Sequence, residues 1–147
     1  MRRSEFMVGG GDFNNIKANQ AMENSVSYCY STTRWKDIAS ALVKGGFGSL
    51  PVIDSEGNLI GIVSEYDLLR VLNTGKDENE VTAQDIMTKE AITVTEETPM
   101  MDVIKLLEDK HLIRVPVVNS KKLVGILARR DLLLCHLRTT AKAPGLF

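Results

Sequence analysis

The residues of this chain that are best suited to chemistry are two aspartates in matching segments. GIVSEYDLL at 61–69 and GILARRDLL at 125–133 each place a glycine on an apolar stretch and a carboxylate in the first turn of a predicted helix. A carboxylate beside exposed backbone N–H groups can accept both hydroxyls of a ribose, and a helix N-terminus attracts phosphate. The pattern therefore indicates nucleotide binding, with Asp67 and Asp131 as the sugar ligands.

Helix capping explains the same residues without a ligand. Ser64 and Asp67 fit a capping box, in which the serine accepts from a first-turn N–H and the acid reaches back. The helix dipole also favours an acid at this position. The second segment has Ala128 in place of the serine and still contains Asp131. Capping and binding are compatible, so both interpretations stay open at this point.

The two segments belong to a duplicated unit. Residues 16–72 align with residues 81–137, with Asn58 as one extra residue in the first copy. Repeats of this kind bury their apolar faces against each other, and two like halves make two like clefts. Each copy predicts a short helix, a strand, a helix, two strands and a helix. The predicted connecting segments are an N-terminal tail at 1–15, a polar linker at 73–80 and a C-terminal tail at 138–147.

Apolar spacing predicts the central helices and strands of both copies. Thr98 followed by Pro99 is typical of a helix start, with the proline at the first helical position. One buried helical face is predicted in each copy, formed by Trp35, Ile38, Ala39 and Leu42 and by Met100, Val103, Ile104 and Leu107. The strands predicted at 50–53 and 115–118 each contain a proline, which we expect at a sheet edge or strand start because it has no N–H to donate.

Composition excludes several classes of partner. The chain has 147 residues, 18 basic and 19 acidic side chains and a net charge of −1, so it has no general field for nucleic acid or an anionic membrane. No apolar run approaches the roughly 18 residues of a spanning helix, and the N-terminus does not resemble a signal peptide. Cys29 and Cys135 lack metal-ligand spacing, and the apolar run around Cys135 predicts a buried thiol. We therefore expect a cytoplasmic protein without nucleic-acid or membrane partners.

The sequence also argues against catalysis. It contains no nucleophile with a paired base, no carboxylate dyad at recognisable spacing and no cluster of metal ligands. His111 and His136 are far apart, and neither has companions for a metal site. His111 precedes Arg114 and could contact phosphate, while a plain surface role is the alternative. We therefore expect neither an enzyme nor a metalloprotein.

The ordered set of segments resembles a tandem pair of CBS domains, the cystathionine β-synthase type module also called a Bateman module. The resemblance rests on DIMTKEAITVTEETPMMDVIKLLEDKHLIRVPVV and LVGILARRDLL, and more loosely on SLPVIDSEGNLIGIVSEYDLL. It implies an α/β (α+β) fold of two intertwined β-α-β-β-α repeats with a pseudo-two-fold axis and small sheets packed on helices. It also implies a regulatory module that binds AMP, ADP, ATP, NAD or S-adenosylmethionine in two clefts.

In modules of this kind, the aspartate of one repeat holds the ribose, and the other repeat surrounds adenine and reaches the phosphates. The first expected site contains Asp67, Ser64, Ala91, Ile92, Thr93, Val94, Arg114, Val115 and Pro116. The second contains Asp131, Val26, Ser27, Tyr28 and Leu50, with Arg129 and Arg130 as further charges or, alternatively, as a solvated helix start. Because the second site has Ala128 and Ser49 at the positions of Ser64 and Arg114, we expect the first to bind more readily or to take the more phosphorylated ligand.

The same resemblance predicts partners. Apolar surplus on the last helix of each copy predicts a homodimer, from Leu68, Leu69, Val71 and Leu72 and from Leu132, Leu133 and Leu134. The chain as given holds no effector domain, so we expect an effector protein as the output partner. The alternative is a dimerisation or protein-interaction module that binds no ligand.

Overall fold

The computed structural model describes residues 13–140, which form helices and short strands in a duplicated order. The elements of the first copy are α1 (Ala18–Ala21), β1 (Cys29–Tyr30), α2 (Trp35–Gly45), β2 (Ser49–Ile53), β3 (Leu59–Ser64) and α3 (Glu65–Thr74). Those of the second copy are α4 (Ala83–Ile86), β4 (Val94–Thr95), α5 (Met100–Asp109), β5 (Arg114–Asn119), β6 (Lys122–Ala128) and α6 (Arg129–Thr140). The predicted tails lie largely outside the described residues, although Phe13–Asn15 form a 3-10 turn.

Each copy contributes one small sheet. The strand orders are β1-β2-β3 and β4-β5-β6. In the first sheet β1 is parallel to β2, and β2 is antiparallel to β3. In the second, β4 is parallel to β5. The predicted fold class, with small sheets packed on helices, is confirmed.

The chain folds into two compact units, and each unit combines segments from both copies. Unit 1 contains residues 13–26, 93–119 and 124–140, and unit 2 contains residues 27–92 and 120–123. The short helix of each copy therefore packs with the sheet of the other copy. In unit 1 the N–H of Ala18 donates to the carbonyl of Thr98 at 2.9 Å, and in unit 2 the N–H of Ala83 donates to the carbonyl of Thr33 at 2.9 Å.

Each unit has its own apolar core. The core of unit 1 is formed by side chains of α1, α5, α6 and the strands of the second sheet. Met100, Val103, Val115, Val117 and Leu127 are fully buried in it. The core of unit 2 is built from Ile38, Leu42, Leu50, Val52, Val63, Leu68 and Ala83. Trp35 packs against this core and its Nε1–H donates to the carbonyl of Leu68 at 3.1 Å, as expected for a core residue.

The prediction that the two strand prolines lie at a sheet edge or at a strand start is wrong, because each is the third residue of its strand. Pro51 and Pro116 belong to β2 and β5, which are the central strands. The edge strands are only two residues long, and they pair with Val52–Ile53 and with Val117–Val118. Each proline therefore precedes the stretch that its edge strand covers, so its missing N–H disturbs no bond of that pairing.

Two local boundaries also differ from the prediction. The helix α5 begins at Met100, with Pro99 as its N-cap, rather than at Pro99. Thr98 instead accepts a hydrogen bond from the N–H of Thr95 at 3.0 Å, which closes the turn before the helix. The β-branched residues within 91–95 predict a strand over that range, whereas the structure forms one only at Val94–Thr95.

The glycine of each matched segment has a packing role. Gly61 lies on β3, where Ile62 pairs with Thr88. Gly125 lies on β6, where Ile126 pairs with Glu23. A Cβ at Gly61 would lie 2.9 Å from the Thr88 carbonyl oxygen, and one at Gly125 would lie 3.2 Å from that of Glu23. Glycine therefore permits the chain after each short helix to approach the hairpin.

Candidate functional site

The start of α3 holds Asp67 in a complete capping box. The N–H of Ser64 donates to Asp67 Oδ2 at 2.8 Å, and the hydroxyl of Ser64 donates to the same oxygen at 3.0 Å. The N–H of Asp67 donates back to Ser64 Oγ at 3.3 Å. Asp67 is only 8% exposed. The predicted capping box is thus present, and the carboxylate is held in one orientation at the helix N-terminus.

A cation on the next turn pairs with the other oxygen of this carboxylate. Arg70 Nη1 donates to Asp67 Oδ1 at 2.6 Å. The Arg70 side chain itself is 69% exposed, so the pair is partly screened by solvent. Each carboxylate oxygen has two lone pairs, and Asp67 therefore retains capacity to accept from a sugar hydroxyl.

Ser49 adds a second hydroxyl to this end of the sheet. It pairs with Ser64 across β2 and β3, and directly opposed residues direct their side chains to the same face. Its neighbour Leu50 belongs to the core of unit 2, so Ser49 faces away from that core. Ser49 is 8% exposed, and its Oγ has no hydrogen-bond partner within residues 13–140. A buried hydroxyl in this condition is suited to bonding a ligand.

The start of α6 in unit 1 repeats the geometry without the serine. The N–H of Ala128 donates to Asp131 Oδ2 at 2.7 Å, which corresponds to the bond between Ser64 and Asp67. Asp131 is 4% exposed. Because Ala128 has no hydroxyl, only the half of the box that the aspartate supplies is formed, as expected from the sequence.

Arg114 lies at this second helix start. The N–H of Arg129 donates to the carbonyl of Ile113 at 3.0 Å, so Arg114 follows directly on the residue bonded to the first turn of α6. The matching bond in unit 2 joins the N–H of Glu65 to the carbonyl of Gly48 at 3.1 Å. Arg114 precedes Val115 of the core and therefore faces away from it. Burial lowers the pKa of Arg114, because its charged form loses hydration.

The remaining residues of the first expected site are divided between the units. Ser64, Asp67, Ala91 and Ile92 belong to unit 2, whereas Thr93, Val94, Arg114, Val115 and Pro116 belong to unit 1. Ala91 and Thr93 are half-buried and Ile92 is exposed. Val94 and Val115 are part of the core of unit 1. The grouping of Arg114 with Asp67 stays a prediction, while a backbone hydrogen bond within unit 1 joins Ile113, the residue before Arg114, to the first turn of the helix that carries Asp131.

The residues of the second expected site are mostly exposed. Ser27 and Tyr28 are exposed, and the ring of Tyr28 meets that of Tyr30 edge to face with centroids 5.7 Å apart. Arg129 and Arg130 are exposed in the first turn of α6. They extend the positive charge around Asp131 whether or not they contact a ligand.

The histidines and cysteines do not form a further site within the described residues. His136 is exposed on α6, where Phe13 contacts it edge-on at 4.9 Å between centroids, and His111 is exposed at a left-handed position with φ of 53°. Cys29 and Cys135 are buried, and burial raises the pKa of both thiols to about 11. Within residues 13–140 no three metal-ligating side chains come together. No helix in that range is both long and apolar enough to cross a bilayer.

Comparison with known sequences decides the family. The profile of the CBS domain matches residues 18–74 and 83–137. This chain belongs to the CBS domain family. Among curated relatives, the protein MK0525 of Methanopyrus kandleri is 37% identical over 99 residues, which are 66% of this chain and 50% of the relative. The protein YlbB of Bacillus subtilis is 31% identical over 119 residues, or 80% of each chain.

Solved structures of CBS pairs show the same fold. The CBS-pair protein CBSX2 from Arabidopsis thaliana has a TM-score of 0.79 at 27% identity and covers 88% of this chain and 99% of its own. CBSX2 in complex with AMP gives 0.77 at 28% identity, with 85% and 98% covered. The CBS pair of MJ0100 in complex with 5′-methylthioadenosine and S-adenosylmethionine gives 0.73 at 25% identity, with 82% and 95% covered. The predicted tandem CBS pair is confirmed.

Proposed function

We propose that this protein is a regulatory module that binds adenosine ligands and has no catalytic activity of its own. The observation that carries the proposal is the pair of buried carboxylates, Asp67 and Asp131. Each lies in the first turn of a helix and is oriented by a backbone N–H bond, at 2.8 Å and 2.7 Å respectively. A carboxylate so oriented can accept the two hydroxyls of a ribose without further rearrangement.

Two structural neighbours support an adenosine compound as the ligand. They were crystallised with AMP and with the thioether and sulfonium derivatives of adenosine. All of these ligands share the ribose, and they differ in the group attached at its 5′ carbon. We therefore propose AMP, ADP, ATP, NAD or S-adenosylmethionine as candidate ligands, with the carboxylates reading the part that is common to them.

Regulation follows from differential binding. A ligand shifts a conformational equilibrium only by the difference in its affinity for the two states. We propose that occupation of the carboxylate sites biases the conformation of the chain, and that an effector protein in the cytoplasm reads the change. The curated relative MK0525 is about twice the length that this chain matches, so a longer protein could also carry the output.

Calorimetry and thermal unfolding with a ligand panel test the proposal. We expect at least one adenosine compound to bind and to raise the Tm. Asp67→Asn combined with Asp131→Asn should weaken binding by about tenfold or more, since a charge-assisted hydrogen bond is worth about 1.5–3 kcal/mol. Asp85→Asn is the matched control, because Asp85 caps α4 with the same bond from the Thr82 N–H at 2.9 Å.

Two results would contradict the proposal. One is the absence of both heat and Tm shift with every compound of the panel at millimolar concentration. The other is a double variant that binds as well as the wild type. The first result would favour the alternative function, a dimerisation or interaction module in which both aspartates act only as helix caps.

We also propose that the protein is a homodimer. Unit 1 has an apolar groove of about 1100 Å³ between α5 and α6. Leu133 on α6 is 66% exposed, and the matching Leu69 on α3 of unit 2 is 54% exposed. Because both copies present a leucine outward at the same position, a second copy of the chain could form a closed, self-complementary contact on these helices.

Light scattering after size exclusion tests the dimer. We expect twice the mass of the chain for the wild type and a monomer for Leu133→Glu, because a carboxylate in an apolar contact is costly. Lys105→Glu on the exposed side of α5 is the control and should stay dimeric. A monomeric wild type at high micromolar concentration would contradict this part of the proposal.

A further inference from the structure

The two carboxylate sites differ in the charges that surround them. Three cations belong to the helix start that carries Asp131: Arg129 and Arg130 are the first two residues of α6, and Arg114 follows Ile113, whose carbonyl accepts from the N–H of Arg129. The positions that match these three in unit 2 are Ser49, Glu65 and Tyr66. The backbone bonds at the two helix starts are equivalent, at 3.0 Å and 3.1 Å, so the difference is one of side-chain charge on a shared frame.

The site in unit 1 is suited to an anion. Arg114 carries a planar guanidinium that can bond two oxygens of a phosphate at once. Arg114 is half-buried, and this reduces the solvent that screens the attraction. Arg129 and Arg130 are exposed at the helix N-terminus, where the dipole adds to their positive field. The three arginines and the helix N-terminus would each attract the phosphate of a nucleotide whose ribose is bound by Asp131.

The site in unit 2 disfavours the same anion. Glu65 and Asp67 place two carboxylates in the first turn of α3. The nearby Arg70 is committed to Asp67 by the ion pair at 2.6 Å. The hydroxyl of Ser64 already donates to Asp67 Oδ2, so the donor that remains is the hydroxyl of Ser49, whose Oγ is buried and has no partner within the described residues. This neutral donor suits an uncharged group, and the negative balance suits a cation.

We propose that the two sites divide adenosine ligands by charge, which rests on the function proposed above. The site of Asp131 takes a 5′-phosphorylated adenosine, and the site of Asp67 takes an uncharged or cationic adenosine derivative such as a thioether or a sulfonium. This assignment reverses the expectation from the sequence, which grouped Arg114 with Asp67. The residues that determine the specificity are Arg114 in one unit and Ser49 in the other.

Calorimetry on single-site proteins tests this division. Asp67→Asn leaves the site of Asp131, and Asp131→Asn leaves the site of Asp67. We expect the Asp67→Asn protein to bind AMP about tenfold or more tightly than 5′-methylthioadenosine, and the Asp131→Asn protein to show no such preference or the opposite one. Raising the NaCl concentration should weaken AMP binding in the first protein and leave thioether binding unchanged.

A reciprocal exchange assigns the effect to the two residues. Adding Arg114→Ser to the Asp67→Asn protein should remove its preference for AMP, and adding Ser49→Arg to the Asp131→Asn protein should create one. Circular dichroism and thermal unfolding check that each variant folds. The proposal is overturned if both single-site proteins prefer the same ligand, or if Arg114→Ser leaves the preference unchanged. A wild type that binds no adenosine compound would overturn the proposed function itself. This result differs from a failed exchange, in which the ligands bind but their preference does not change.

Discussion

The helix starts of the two units reach the same backbone geometry with different side chains. In unit 2, Asp67 is held by the N–H and hydroxyl of Ser64 and by Arg70. In unit 1, Asp131 is held by the N–H of Ala128. The carboxylate therefore does not need the serine in order to be oriented, because the backbone bond is common to both. The side chains around it are free to differ, and they differ mainly in charge.

This comparison separates the frame from the specificity. The frame consists of the buried carboxylate and the N–H bond that orients it. We propose that the specificity is carried by the strand residue two positions before the proline and by the first two positions of the helix, which are Ser49, Glu65 and Tyr66 in one unit and Arg114, Arg129 and Arg130 in the other. On this proposal, the duplicated fold holds two ligands of different chemistry on one backbone frame.

The glycines of the matched segments give the most severe test of whether the frames are equivalent. In Gly61→Ala the new Cβ would lie 2.9 Å from the carbonyl oxygen of Thr88, so the backbone must shift. We expect the free energy of unfolding to fall by about 1–3 kcal/mol, as for other overpacked sites. Both new Cβ atoms would also meet a flexible thioether, that of Met87 at Gly61 and that of Met22 at Gly125. Gly125→Ala should cost less, because the nearest backbone oxygen, the carbonyl of Glu23, is 3.2 Å away.

Urea denaturation measures both glycine variants. A double-mutant cycle adds Met22→Ala to Gly125→Ala and Met87→Ala to Gly61→Ala. Replacing the methionine should recover most of the stability lost in Gly125→Ala. It should recover little of that lost in Gly61→Ala, where a backbone oxygen still conflicts with the new Cβ. Equal costs and equal relief in the two units would show that the frames are more alike than the distances indicate.

The capping serine gives a test of intermediate size. Ser64→Ala removes the hydroxyl that accepts from the Asp67 N–H at 3.3 Å, and should lower the free energy of unfolding by about 0.5–2 kcal/mol. Ala128→Ser supplies the missing half of the box in unit 1 and should raise it by about 1 kcal/mol or less. Ser55→Ala in the exposed hairpin turn is the control and should have little effect. If Ala128→Ser destabilises the protein, unit 1 does not share the frame of unit 2.

The effect that is smallest near neutral pH concerns the buried thiols, one in each unit. Burial raises the pKa of Cys29 and Cys135 from 9.0 to about 11. The unfolded chain then loses these protons at lower pH than the folded one, so their contribution to stability is complete below pH 9.0 and is lost as the pH rises towards about 11. Thermal unfolding between these pH values should show a shallower decline for Cys29→Ala and Cys135→Ala than for the wild type. Identical slopes would argue against the raised pKa.

Most of the fold could be predicted from the sequence because the duplication repeats every signal. The capping box of Ser64 and Asp67 and the apolar face of α5 follow from local spacing, and the structure confirms both. The position of Pro51 and Pro116 could not be predicted, because the shortness of the edge strands depends on tertiary pairing rather than on residue type. The start of α5 at Met100 rather than Pro99 depends on the Thr95–Thr98 turn in the same way.

The candidate site was harder to predict than the fold. The two aspartates follow from a motif, but the grouping of Arg114 with Asp131 that we propose rests on the hairpin between them. An antiparallel hairpin brings the first residue of its first strand beside the last residue of its second, here Arg114 of β5 and Ala128 of β6. That signal was present in the sequence. The buried and unpartnered hydroxyl of Ser49, in contrast, becomes visible only once its burial is known.

The interleaving of the two copies has a consequence for how such a chain can be divided. A cut in the segment between Gly75 and Glu78 would give two fragments, and each compact unit needs residues from both of them. Neither fragment contains a complete apolar core, so we expect the pair to stay associated after cleavage and to recombine when mixed. For the same reason, a polypeptide that contains only one copy should fold only as a dimer, in which the short first helix of each chain packs with the sheet of the other.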